Sequence, residues 1–324
     1  MARLSEPHPA SGSELPVRHV ASIEPKPEGA QWLVEGLWAA SGVGVIGGLP
    51  KCLKTWLATE LAVSVASGTH ALGRYRIMSQ GPVLLYAAED DLPAMRARFE
   101  AVANARGISL ENLPVYLIDL PQLRLDDPEQ WRRLDRTVAS VRPRLLVLDP
   151  FVRIARVDEN SATEVSAVLG SLRALQRQHD VAVLLVHHMR KSPSGHLGQQ
   201  LRGSGDFAAW YDSGLYLVRS GPSELLLSVE HRGAPAPAPM RLTLASEPSP
   251  HLVVLAPTTP PTPPAPSEPL RDAILERLRT SKRPLSTLEL RHGLKVRKAT
   301  LLEHLRALRE QNLVHRADDG WVGK

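Results

Sequence analysis

Between Gly47 and Thr55 the chain reads Gly-Gly-Leu-Pro-Lys-Cys-Leu-Lys-Thr. Two lysines and a hydroxyl stand here beside a short apolar run, Val43–Ile46, and ahead of a helical stretch, Lys54–Ser67. Backbone N–H groups at a helix start attract phosphate oxygens, a lysine reaches the β- and γ-phosphates, and a hydroxyl holds Mg²⁺. Against G-x-x-x-x-G-K-[ST], the residues Gly48, Lys54 and Thr55 match, while Leu53 stands where the second glycine belongs. If that position needs a left-handed backbone, leucine costs roughly 1–2 kcal/mol there. Lys51 adds a second cation. Gly48, Pro50, Lys51, Cys52, Leu53, Lys54 and Thr55 are thus the candidate nucleotide-binding loop, unless the segment is only a Gly/Pro turn.

Residues downstream weigh that alternative. Leu145–Leu148 is an apolar run ending in Asp149, placed to hold a Mg²⁺ shell together with Thr55. Val83–Tyr86 leads into Ala87-Ala88-Glu89-Asp90-Asp91, where Glu89 is placed to activate a hydrolytic water and the aspartates suit helix capping. Val181–Val186 ends in His187-His188, then Met189-Arg190-Lys191, a place where a polar group could sense a γ-phosphate. Each polar group follows a strand, at the rim where open α/β sheets bind ligands. Two rival motifs fail. Gly42-Val43-Gly44-Val45-Ile46-Gly47 fits G-x-G-x-x-G, but its spacers are the strand itself. The paired histidines have no third ligand at zinc spacing.

The elements that must position these groups alternate. Apolar runs at 43–46, 83–86, 115–118, 145–148 and 181–186 are separated by helix-length segments, which predicts a mostly parallel sheet covered by helices on both faces. Asp127-Pro128-Glu129-Gln130 sets an N-cap, an N1 proline and a capping-box residue. Val165, Val168, Leu169, Leu172 and Leu175 give the helix after Ser161 one apolar face, and Lys54–Ser67 reads as amphipathic. Beyond residue 213, short runs at 214–218, 224–229, 240–245 and 251–255 predict hairpins extending the sheet antiparallel. Residues 256–269 hold seven prolines in fourteen positions, a semi-rigid spacer of about 40 Å at ~3.1 Å per residue.

The chain has 324 residues, enough for about two domains, and its 43 % hydrophobic content excludes a disordered chain. No apolar run approaches the ~18 residues of a membrane span. The first residues have no signal-peptide core, and a single cysteine permits no internal disulfide. These features make the cytoplasm the expected location. Residues 269–324 carry 13 Lys and Arg against 7 Asp and Glu, so all the excess of the net charge of +5 lies there. A basic end of this kind suggests contact with nucleic acid. The expected organisation is a disordered tail over 1–25, an ATPase domain over 26–255, the spacer over 256–269 and a small domain over 270–324.

In this order, Pro-Lys-x-x-Lys-Thr, Tyr86–Asp91, Leu148-Asp149-Pro150, Asp158-Glu159-Asn160, Leu185–Lys191 and Leu201-Arg202-Gly203-Ser204 resemble the RecA-superfamily ATPases of the DnaB-like kind. Most closely they resemble the RepA-type hexameric replicative helicases. The resemblance covers about residues 31–220 and implies a RecA-like α/β fold, ATP with Mg²⁺, a homo-oligomer up to a hexamer, and single-stranded DNA as partner. It implies that Lys54 and Thr55 bind phosphate and Mg²⁺, that Glu89 is the base and that Asp149 is the Walker B acid. His187 would be the γ-phosphate sensor, Arg202 an arginine finger reaching a neighbour's ATP, and Arg190 and Lys191 part of a DNA-facing loop.

The end of the chain resembles a winged helix-turn-helix domain. Helices are predicted over 270–280, 286–292 and 297–311, then a hairpin over 314–322. Leu301, Leu305 and Leu308 form a buried stripe, with Arg297 and Lys298 where a recognition helix meets duplex DNA. A protein-docking module is the alternative. Two functions remain open: a DNA-acting ATPase motor, and a DNA-bound regulator that uses ATP as a switch and turns over little.

Overall fold

The structure is a computed structural model. It describes residues 17–25, 27, 29–156, 161–189, 201, 205–256, 268–281, 283–294, 296, 298–317 and 320–323. The chain divides into two compact units, Met1–Ala256 and Pro257–Lys324.

The first unit opens with a small antiparallel pair, β1 (Trp32–Val34) and β2 (Trp38–Ala39). There follow β3 (Val43–Gly48), α1 (Lys54–Ser67), β4 (Val83–Ala87), α2 (Leu92–Asn104), β5 (Val115–Leu117) and α3 (Pro128–Val141). The chain continues with β6 (Leu145–Asp149), α4 (Phe151–Ile154), α5 (Ala162–His179), β7 (Ala182–His188), α6 (Asp206–Trp210), β8 (Ser213–Arg219), β9 (Glu224–His231), β10 (Met240–Ala245) and β11 (His251–Val254). The strands β3 to β11 form one nine-stranded sheet in the order β11-β10-β9-β8-β3-β7-β6-β4-β5. From β8 to β5 every pairing is parallel, and from β8 to β11 every pairing is antiparallel. The expectation for residues 214–218 is therefore corrected: β8 lies parallel to β3, and only β9, β10 and β11 form the antiparallel extension.

Both faces of the parallel part are covered, which is why its strands are continuously apolar. Ile46, Val83, Leu85, Val147 and Leu184 pack with α1, α2 and the β1–β2 hairpin. Val45, Leu84, Tyr86, Leu146 and Leu185 pack with α3, α4, α5 and α6 on the other side. Among the described residues β9 is covered on one face, so Leu225, Leu227 and Val229 are buried and alternate with part-exposed residues. A Cβ on Gly44 would lie 2.6 Å from the Trp38 ring, so the glycines of the rejected dinucleotide motif serve close packing around β3.

α1 is not the amphipathic helix that its sequence suggests. Eleven of its fourteen residues are buried, and several of its polar groups are paired. Thr59 and Ser64 hydroxyls donate to the carbonyls of Thr55 and Glu60 at 2.9 and 2.8 Å, and buried Glu60 pairs with Arg106. In α3, the Asp127 carboxylate caps the Glu129 N–H at 2.8 Å. Gln130 does not complete a capping box: its carbonyl accepts the Arg124 N–H at 2.8 Å instead. Ser161 caps α5, whose buried face is the predicted one with Gln176 added. No described helix is long and apolar enough to cross a membrane.

The second unit holds α7 (Glu268–Thr280), α8 (Thr287–Leu294) and α9 (Lys298–Glu310), then an antiparallel pair, β12 (Val314–Ala317) and β13 (Gly320–Gly323). Ile274, Leu278, Leu290, Leu301, Leu305, Leu308, Val314 and Trp321 form its core. Leu285 exchanges backbone hydrogen bonds with Trp321 at 2.8 and 3.0 Å, tying the segment before α8 to the hairpin. The Ser286 hydroxyl caps the Glu289 N–H at 3.2 Å while Glu289 accepts the Ser286 N–H at 2.8 Å, a reciprocal capping box.

Candidate nucleotide-binding site

The segment 49–53 leaves the end of β3, crosses the rim of the sheet and enters α1. Leu49 and Cys52 close a turn at 3.3 Å, with Pro50 and Lys51 at its centre. Lys51 has φ 65°, at the turn position that favours glycine or asparagine. Leu53 then takes φ 58° and ψ 29° as the N-cap of α1. The residue replacing the motif glycine is thus left-handed, as a glycine would be. Two non-glycine residues in this region within one loop cost roughly 1–2 kcal/mol each. Gly48 cannot be replaced lightly, since a Cβ there would meet the Leu217 carbonyl at 2.8 Å.

Lys54 is buried, and its ammonium donates to the Leu49 carbonyl at 3.0 Å. Burial lowers its pKa, opposed by the charge of Asp149. Asp149 ends β6, two strands away from β3 with β7 between. Burial pushes its carboxyl up to about 6, against a hydrogen bond from the Thr55 hydroxyl and the Lys54 charge. Among the described residues its Oδ2 is buried with no hydrogen-bond partner. An unsatisfied carboxylate oxygen beside a hydroxyl is a hard oxygen donor set of the kind that suits Mg²⁺, so the residues present fit that ion.

These groups line a cavity of about 590 Å³, bounded by Pro50–Trp56, Ala87, Glu89, Asp90, Arg98, Asp149, Pro150, His188 and Arg219. The three acids after β4 are separated by their partners. Asp91 caps the Ala94 N–H of α2 at 2.7 Å. Asp90 pairs with Arg98 at 2.8 Å, and Arg98 lies over the Trp56 ring. Glu89 pairs with Arg153 of α4 at 3.1 Å.

The two histidines at the end of β7 are placed differently. His187 is fully buried, stacked on Phe207 at 4.3 Å and edge-on to Phe151 at 5.6 Å. It faces the core because successive strand residues point to opposite faces. His188, opposite Gly48 at the rim, is the one that lines the cavity. Sequence reading also passed over Arg98, Trp56 and Arg219, none of which belongs to a motif. Arg190, Lys191, Arg202 and Arg297 lie outside the described residues. Lys298 opens α9, and its side chain also lies outside them.

A phosphate loop between the central strand and a buried helix, with a strand inserted between it and the acidic strand, defines a RecA-like P-loop ATPase domain. A family model described as an AAA domain matches residues 9–194, and the chain belongs to that family. No curated protein matches its sequence. Among solved structures, one of an ATPase domain aligns with TM-score 0.50 and 16 % identity, over 67 % of this chain and 86 % of that one. A DnaB-like replicative helicase, solved with attention to its interactions with primase, gives TM-score 0.49 and 15 % identity over 67 % of this chain and 58 % of its own. The RadB recombinase gives 0.48 and 18 %, over 64 % and 88 %. At 16 % identity the likeness to the first of these is one of fold alone.

Proposed function

We propose that the chain is a Mg²⁺-dependent ATPase whose hydrolysis is coupled to DNA binding or translocation, a motor of the RepA- and DnaB-like helicase type. The convergence of Lys54, Thr55, Asp149, Glu89 and His188 on one cavity at the strand ends carries this reading. Lys54 exchanges its Leu49 carbonyl for phosphate oxygens, and the loop amides cradle the rest. Thr55 and Asp149 hold Mg²⁺, which when bound neutralises charge on the β- and γ-phosphates. Glu89, released from Arg153, takes the proton of the attacking water, and His188 reads the γ-phosphate. Arg202 reaches a neighbouring subunit's nucleotide as a finger, which requires a homo-oligomer. Arg190 and Lys191 face single-stranded DNA. The second unit is a winged helix that presents Arg297 and Lys298 to duplex DNA.

Two observations favour a slower device, an ATP-switched DNA-binding regulator. A left-handed Leu53 replaces the loop glycine, and Glu89 is engaged by Arg153. Phosphate release with and without single-stranded DNA, beside strand displacement, separates the two. A motor shows stimulated turnover and unwinding; a switch binds ATP and DNA with neither. Mixing Arg202→Ala with Glu89→Gln tests the shared site, since intact interfaces form only between unlike subunits and restore partial turnover.

A further inference from the structure

Arg219 is the last residue of β8, which runs parallel to β3 with Leu217 opposite Gly48. It therefore emerges beside the phosphate loop. One guanidinium nitrogen donates to the Lys51 carbonyl at 3.1 Å, and another donates to the Pro222 carbonyl at 2.9 Å. Pro222 belongs to the turn that the Ser220 N–H and Glu224 carbonyl close at 3.1 Å. The guanidinium thus bridges the β8–β9 turn and the loop residue held at φ 65°. Glu224, the acid nearest along the chain, is already engaged by Arg241 at 2.6 Å. Among the described residues no carboxylate forms an ion pair with Arg219, and its side chain lines the cavity.

We propose that Arg219 is a positioning residue for nucleoside di- and triphosphate binding, which acts by fixing the Lys51 carbonyl and with it the glycine-poor loop. A P-loop with glycine at its second marked position adopts the left-handed turn without strain. Here Lys51 and Leu53 must both be held in it, and a fixed guanidinium from the next strand supplies an anchor outside the loop. A planar fork with several donors can grip two carbonyls at once, which a single ammonium does less well. The proposal deepens the nucleotide-site reading and depends on it.

Titration calorimetry of the full chain with Mg-ADP and with Mg-β,γ-imido-ATP tests it, using Arg219→Ala, Arg219→Lys and Lys54→Ala. Arg219→Ala is expected to weaken both nucleotides by the same factor, about tenfold, as loss of one charged hydrogen bond does. Arg219→Lys should recover part of that loss, and the melting temperature of both variants should stay within about 2 °C of the parent. A loss confined to the triphosphate analogue would overturn the role, since it would mean direct contact with the γ-phosphate. So would unchanged affinity in Arg219→Ala while Lys54→Ala abolishes binding. If neither Lys54→Ala nor Arg219→Ala alters binding, the nucleotide site itself is misplaced.

Discussion

Leu53 puts a β-carbon where the backbone is left-handed, and the sign of its effect on stability can be measured. Leu53→Ala and Leu53→Gly remove nearly the same half-buried side chain from the edge of the core, so the packing loss largely cancels between them. They differ in the backbone. At φ 58° a β-carbon costs roughly 1–2 kcal/mol, whereas glycine returns about 0.4–1 kcal/mol to the unfolded chain as entropy. The glycine variant should therefore be the more stable by about 0.5–1 kcal/mol. For a unit of this size that is a melting temperature higher by about 1–4 °C. Five of the six tryptophans, all but Trp321, lie in the first unit, so tryptophan fluorescence during heating of the full chain reads that unit. Leu53→Gly should also hydrolyse ATP faster than the parent. At an ordinary helical position alanine is favoured over glycine by about 0.5–1 kcal/mol. A higher melting point for Leu53→Ala, or turnover not raised by glycine, would refute the strain argument.

Asp149 gives a pH-dependent outcome. Its carboxyl, raised by burial to about 6, keeps a proton that the unfolded chain releases near pH 4, so its contribution to stability is lost as pH rises through 6. At pH 7.5 Asp149→Asn should gain up to about 3 kcal/mol in urea unfolding, a gain that vanishes near pH 4, while Mg²⁺-dependent nucleotide binding is lost. His187→Ala should cost about 2–4 kcal/mol by emptying the space between Phe151 and Phe207. His188→Ala should leave stability nearly unchanged and cut hydrolysis at least about tenfold; the reverse pattern would restore His187 to the site. The Arg153–Glu89 pair is 62 % and 48 % exposed, so Arg153→Ala should shift urea stability by less than about 1 kcal/mol.

Much of the sheet was legible because each buried parallel strand leaves an unbroken apolar run, and α1 was legible because Lys54-Thr55 opens it and Gly68 closes it. The direction of β8 was not legible. The run 214–218 follows a long connection from β7, and a strand's composition says nothing about which way its neighbour runs. β1 and β2 were too short, at three and two residues, to show any period. Which of His187 and His188 reaches the rim was not legible for a related reason. Both faces of β7 are covered, so its sequence carries no alternation, and only pairing with Gly47 and Gly48 sets which ring reaches the rim. Lys54 and Thr55 at a helix start, and Glu89 and Asp149 where a strand ends, stood out by residue type, and the structure brings the four to one cavity. Arg219 did not stand out, because an arginine before a Ser-Gly-Pro turn reads as an exposed strand terminus until its carbonyl partners are known.

The central claim is that Glu89 activates water at a nucleotide held by Lys54, Thr55 and Asp149. The most direct test measures phosphate release by Glu89→Gln and by the parent under saturating Mg-ATP, with ATP affinity determined in parallel. The expected result is turnover reduced by about 10²–10⁴-fold while ATP affinity stays within about threefold of the parent, because glutamine keeps the shape and loses the base. Parental turnover in Glu89→Gln, or a parent that binds no Mg-ATP, would contradict it.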